Sequence, residues 1–75
     1  MKTKKMRIKD IKIQKSFEER QPSKAKMRAK WSFYRSNGKL ESDIIVDKDG
    51  YLTDGYTSYL IAEADGIKKV EVIEI

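Results

Sequence analysis

The 75-residue chain contains neither cysteine nor histidine. Disulfides, thiolate metal sites and Ser-His-Asp or Cys-His nucleophiles are therefore closed to it. What remains that could hold a ligand is the stretch Asp54-Gly55-Tyr56-Thr57-Ser58. A strand-like run, Tyr51-Leu52-Thr53, ends there, and a helix-like run begins there and closes at Gly66. Glycine at such a corner lets the backbone turn sharply and approach a ligand closely. The free N–H groups of the helix's first turn make a natural anion site. Those groups, with the hydroxyls of Thr57 and Ser58, could hold one oxyanion, and Arg20, Arg28 or Arg35 could reach it from elsewhere in the chain. A purely structural alternative stands beside this. Gly55 makes the turn, Thr57 and Ser58 solvate the first helical turn, and Tyr56 and Tyr59 pack on an earlier helix.

Length and charge bound the partners. A chain this short forms one small domain of marginal stability. Its 17 basic and 12 acidic residues give a net charge of +5, and the excess sits early, at Lys2, Lys4, Lys5, Arg7, Lys9, Lys12 and Lys15. A basic half facing a near-neutral half suggests a polyanionic partner, although lysine-rich surfaces also keep small proteins soluble. No apolar run approaches the length of a membrane span, and no signal-peptide segment follows the charged N-terminus, so no membrane partner and a cytoplasmic location are expected.

The elements that would position the corner can be read in order. Residues 1–5 are expected to be a basic tail and residues 6–75 the domain. Met6–Ile13 reads as a strand region and Gln14–Gln21 as a loop with Phe17 tucked inward. Pro22 signals a helix over Pro22–Ser36, stopped by Asn37-Gly38. On that helix Met27, Trp31 and Tyr34 share one face at i, i+4, i+7, the expected core face. Lys24, Arg28 and Arg35 flank it on one side, Lys26 and Lys30 on the other. Phe33 lies among those lysines and could stack on a base or make a second packing contact.

Ile44-Ile45-Val46 and Tyr51-Leu52-Thr53 form a hairpin about Asp47-Lys48-Asp49-Gly50. That turn fails as a calcium loop, because Gly50 comes too soon and no glutamate stands at the twelfth position. Asp54 is expected to cap the next helix, which runs from Tyr56 to Gly66, and Val70 and Val72 begin a last strand. The order is β-α-β-β-α-β, a small single α/β (α+β) domain.

The segment Asp43–Tyr56 resembles the N-terminal domain shared by ParB partition proteins and sulfiredoxin, in which a hairpin leads to a Gly-x-x-Arg corner opening a helix. Ala64-Asp65-Gly66 and Lys69–Ile73 are similar to the end of that helix and the strand that follows it. The resemblance covers Ile8 to Ile75. It implies a phosphate-binding role for the glycine corner, which ParB-type members use to bind a cytidine nucleotide and clamp DNA, and sulfiredoxin uses for ATP-dependent repair of an oxidised cysteine. Carried over residue by residue, Gly55 matches the family glycine, but Ser58 stands at the arginine position, so the strongest phosphate clamp is missing. Without cysteine, sulfiredoxin activity is excluded. The family's second phosphate motif and its DNA-reading and dimerisation regions would lie beyond Ile75, so a stand-alone domain is expected.

Three functions follow as expectations. The first is a non-catalytic binding module for DNA, RNA or a partner protein in a bacterial or mobile-element system, with Lys5, Arg7, Lys9, Lys24, Lys26, Arg28, Lys30 and Arg35 as nucleic-acid contacts. The second is a nucleotide-dependent phosphohydrolase or nuclease-like switch at the Gly55 corner, with Asp47, Asp49 and Asp54 holding magnesium; otherwise no cofactor, catalytic residue or metal site is expected. The third is a protein adaptor or inhibitor with Trp31, Phe33 or Tyr34 in an exposed patch. The sequence does not speak to oligomeric state.

Overall fold

Apolar residues at alternate positions set the sheet. Val70 and Val72 are buried while Glu71 between them is exposed, and Ile44 and Val46 are buried about a less buried Ile45. This period of two is what one covered sheet face requires. The computed structural model describes residues 2–75. They form β1 (Lys2–Arg7), a short 3-10 turn (Ile8–Asp10), α1 (Lys15–Glu19), α2 (Lys24–Asn37), β2 (Ile44–Val46), β3 (Leu52–Asp54), α3 (Tyr56–Ala64) and β4 (Lys69–Glu74). The expected α+β class and element order hold, with α1 added.

The strands make one four-stranded mixed sheet in the order β1-β4-β2-β3. The hairpin strands β2 and β3 pair antiparallel, β2 and β4 pair parallel, and β1 closes the other edge antiparallel to β4. The parallel pair needs a crossover, which β3 and α3 supply. Val46, Leu52 and Val72 from the sheet meet Tyr59 and Ala62 of α3, and Ile8 and Ile11 close the cluster. Leu52 is fully buried, so truncation to alanine would cost about 2–5 kcal/mol.

Four expectations are corrected. Lys2–Lys5 are not a tail but the first four residues of β1, in register from Lys2 opposite Glu74 to Arg7 opposite Lys69; Met1 lies outside the described residues. Their polarity suits an edge strand, where lysines discourage further pairing. The strand ends at Arg7 rather than reaching Ile13, and Lys12 instead makes an isolated parallel bridge to Tyr51. Gln14–Gln21 contains helix α1, from which Phe17 packs against the core as expected. Pro22 does not open α2: Ser23 does, its hydroxyl accepting from the Lys26 N–H at 3.1 Å.

The largest correction concerns the face of α2. No residue of this helix is buried, and Met27, Trp31 and Tyr34 stand outside the core cluster. The helix rests on α3 instead, tied by a hydrogen bond from the Tyr34 hydroxyl to Asp65 Oδ2 at 2.7 Å. Trp31 and Tyr34 pack edge to face at 5.9 Å, and the Arg35 guanidinium covers Trp31 at 5.5 Å. Gly38 ends the helix in the left-handed conformation, as Asn37-Gly38 predicted.

Candidate functional site: the cleft at the Gly55 corner

Gly55 is the residue that no other type replaces. It is buried, with φ of 84°, and a Cβ on it would stand 2.2 Å from the Asp43 carbonyl oxygen and 2.9 Å from Ile44 Cα. Both the left-handed backbone and the close approach demand glycine. Gly55 itself, not Asp54, occupies the cap position of α3. The Asp54 carboxylate accepts from the Gly55 N–H at 2.8 Å, one residue short of the helix, so the expected cap is not made. The first-turn N–H groups of Tyr56, Thr57 and Ser58 thus carry no side-chain cap. An uncapped helix start concentrates positive potential.

This helix start opens on a cleft of about 600 Å³. Its walls include Gly55, Tyr56 and Thr57 from the corner, Arg20 from the end of α1, and Lys26 and Lys30 from one flank of α2. Asp43 and Asp54 also line it. Lys26 and Lys30 are four residues apart, so both project from the same side of their helix. Lys30 is held at the rim by Glu41, Nζ to Oε1 at 2.5 Å. Phe17 and Tyr56 line the cleft with their rings tilted at 5.3 Å, Tyr59 stacks behind Tyr56 at 6.2 Å, and Gln21 donates to the Tyr56 hydroxyl at 2.8 Å. Tyr56 therefore packs on α1 and its exit, and Tyr59 belongs to the core cluster. Burial, and then the charge and hydrogen bond of Glu63, push the Tyr59 phenol above the usual tyrosine range.

Solved structures of a pNOB8-like ParB N-domain share this fold. One superposes with a TM-score of 0.80 at 23% identity, over 97% of this chain and 29% of the other. A second gives a TM-score of 0.78 at 26% identity, over 97% of this chain and 26% of the other. The chain has the fold of a ParB N-domain. It spans less than a third of the length of those two chains. No family model matches the chain, and no curated protein matches it by sequence.

In this ParB-like domain Ser58, which the resemblance sets at the arginine position, faces inward. Ser58 is only 2% exposed and its hydroxyl donates to the Ser42 carbonyl at 2.8 Å. Of the phosphate-corner residues expected from sequence, Gly55, Tyr56 and Thr57 line the cleft together with Asp54, and the Ser58 hydroxyl is committed elsewhere. Arg20 reaches the cleft; Arg28 and Arg35 do not line it.

The expected nucleic-acid residues fall into separate groups. Lys26 and Lys30 join the corner. Lys5 and Arg7 lie with Lys69 around a separate, smaller depression at the β1 edge, where Arg7 Nε donates to Asp10 Oδ2 at 2.8 Å. Lys9 is exposed in the 3-10 turn, and Lys24, Arg28 and Arg35 are exposed along α2.

Asp47, Asp49 and Asp54 do not converge. Asp47 Oδ1 accepts from the Asp49 and Tyr51 N–H groups inside the hairpin turn. Among the described residues no group of three potential ligands could hold a metal ion. Trp31, Phe33 and Tyr34 are each half-buried rather than exposed; among the described residues the exposed large apolar side chains are Tyr51 and Ile75. Among the described residues no helix is long and apolar enough to cross a membrane.

Sequence reasoning missed Ser42, Asp43 and Glu41, all in the connection before β2. Nothing in their types marks them: Ser42 acts through its carbonyl, Asp43 through its carbonyl beside Gly55 as well as its place in the cleft wall, and Glu41 through Lys30.

Proposed function

We propose that this ParB-like domain is a non-catalytic module that binds nucleic acid by its phosphates, with the Gly55 cleft as the main contact. One observation carries the reading: Arg20, Lys26 and Lys30, from two helices, share a cleft with the uncapped first turn of α3. Helix-start N–H groups and cationic side chains aimed at one volume are the ingredients of oxyanion recognition. The resemblance to partition proteins, which clamp DNA, points the same way. The test is anisotropy of labelled duplex DNA, single-stranded DNA and RNA at low salt. Binding should weaken linearly with log salt, with a slope of about −2 to −3 for the contacts of three cations. The charge-removing pair Arg20→Gln, Lys26→Gln should flatten that slope. No binding to any of the three probes at low salt overturns the reading.

A free nucleotide is the second reading. The cleft's volume of about 600 Å³ supports it, since small-molecule sites commonly enclose such a space. Amides of Gly55–Tyr59 left unmoved by a titration with CTP, ATP and magnesium would remove it.

A further inference from the structure

The connection between α2 and β2 does more than link them. Its Glu41 reaches back to Lys30, with Nζ to Oε1 at 2.5 Å, and Lys30 is also a wall of the Gly55 cleft. Glu41 itself is not a wall. It holds the Lys30 ammonium from outside the cleft lining. Lys30 is 23% exposed and Glu41 42%, so the pair is wet enough to exchange partners. The cleft is lined by three cations against two carboxylates, Asp43 and Asp54. Glu41 adjoins the cleft as a third carboxylate and brings the local balance to neutrality.

We propose that Glu41 is an internal competitor of the ligand's phosphate for Lys30, and that it holds down the affinity of the cleft. This rests on the phosphate-binding reading above and adds its regulation. A phosphate entering beside the Gly55–Thr57 backbone takes Lys30 from Glu41, and the carboxylate swings to water. Lys26, four residues earlier on the same flank, has no ion-pair partner among the described residues, so it engages the phosphate without such an exchange. Anything that neutralises or captures Glu41 therefore strengthens binding at a distance from the ligand.

The test measures dissociation constants for inorganic pyrophosphate and for a labelled single-stranded oligonucleotide in the wild type, Glu41→Gln, Lys30→Met and the double variant. Glu41→Gln should bind both probes about two- to fivefold more tightly, the worth of an exposed ion pair. In the Lys30→Met background the same change should give little gain. An equal gain with and without Lys30 would make Glu41 a general field effect and overturn the competition. Binding by the wild type with no gain in Glu41→Gln would overturn the inference alone. Failure of the wild type and Glu41→Gln alike to bind would overturn the phosphate reading and the inference together.

Discussion

The Ser58 hydroxyl donates to the Ser42 carbonyl at 2.8 Å. This bond ties the first turn of α3 to the connection that precedes β2. It runs beside the contact of Gly55 with the Asp43 carbonyl, so two consecutive backbone carbonyls brace one helix start. A side chain that could have faced a phosphate here serves the scaffold. The cations of the cleft come from other elements, α1 and α2.

Replacing Ser58 by alanine leaves the Ser42 carbonyl without that donor. The expected loss is about 1–3 kcal/mol, read from the urea midpoint. Ser58→Arg should be worse, because the site is 2% exposed and cannot hold a charge. An arginine variant as stable as the wild type and tighter for phosphate would show that the corner opens more readily than its packing implies.

Gly55 and Gly38 make an internal comparison. Both have positive φ, but a Cβ at Gly38 meets nothing within 4 Å, whereas at Gly55 it meets the Asp43 oxygen at 2.2 Å. Gly38→Ala should cost about 1–2 kcal/mol, the backbone term alone. Gly55→Ala should cost clearly more, because β2 must also move. Equal melting temperatures for the two variants would contradict the close approach.

How far the fold was legible follows from these positions. The hairpin, the Gly55 pivot and β4 were readable because turn residues and alternating apolar residues mark them locally. Strand β1 was not. Lys2, Lys4 and Lys5 look like solvated tail, and only pairing with β4, some seventy residues away in sequence, makes them a strand. The stripe Met27, Trp31, Tyr34 had correct helical spacing, but periodicity shows which residues share a face and not what the face meets. In the site, Gly55 and Thr57 were found from type and order. Arg20 could be named only as a chemical possibility. Ser42, Asp43 and Glu41 were invisible, because two act through carbonyls and the third through a partner in the preceding helix.

The β1 edge carries a pH dependence. Lys4 Nζ donates to Glu74 Oε1 at 2.6 Å and holds the Glu74 carboxyl below the usual carboxylate range. The folded state thus favours the ionised form. The contribution is present above the unfolded carboxylate range and is lost as the pH falls through the lowered folded value. Acid should loosen β1 from β4, seen as faster amide exchange in both strands. Lys4→Met should flatten that acid response, and an unchanged acid limb would count against the pair.

Helix α2 hangs on α3 by few ties, and Tyr34 to Asp65 is one of them. The Asp65 hydrogen bond is the main cause that pushes the Tyr34 phenol above the usual range. Here the folded state favours the protonated form, so its contribution holds below the unfolded tyrosine range and fades as the pH rises through the raised folded value. Tyr34→Phe should lower amide protection along α2 while leaving the sheet protected. Trp31, the single tryptophan, lies in α2 and reports the change by its fluorescence. Loss of protection spread evenly over the sheet would contradict a separately docked helix.

The most direct test of the account is an amide NMR titration with an unlabelled single-stranded oligonucleotide at low salt. Saturable shifts are expected at Gly55, Tyr56 and Thr57, accompanied by Arg20, Lys26 and Lys30, and reversed by added salt. Shifts confined to Lys5, Arg7 and Lys69 at the β1 edge, with the Gly55 corner silent, would contradict it.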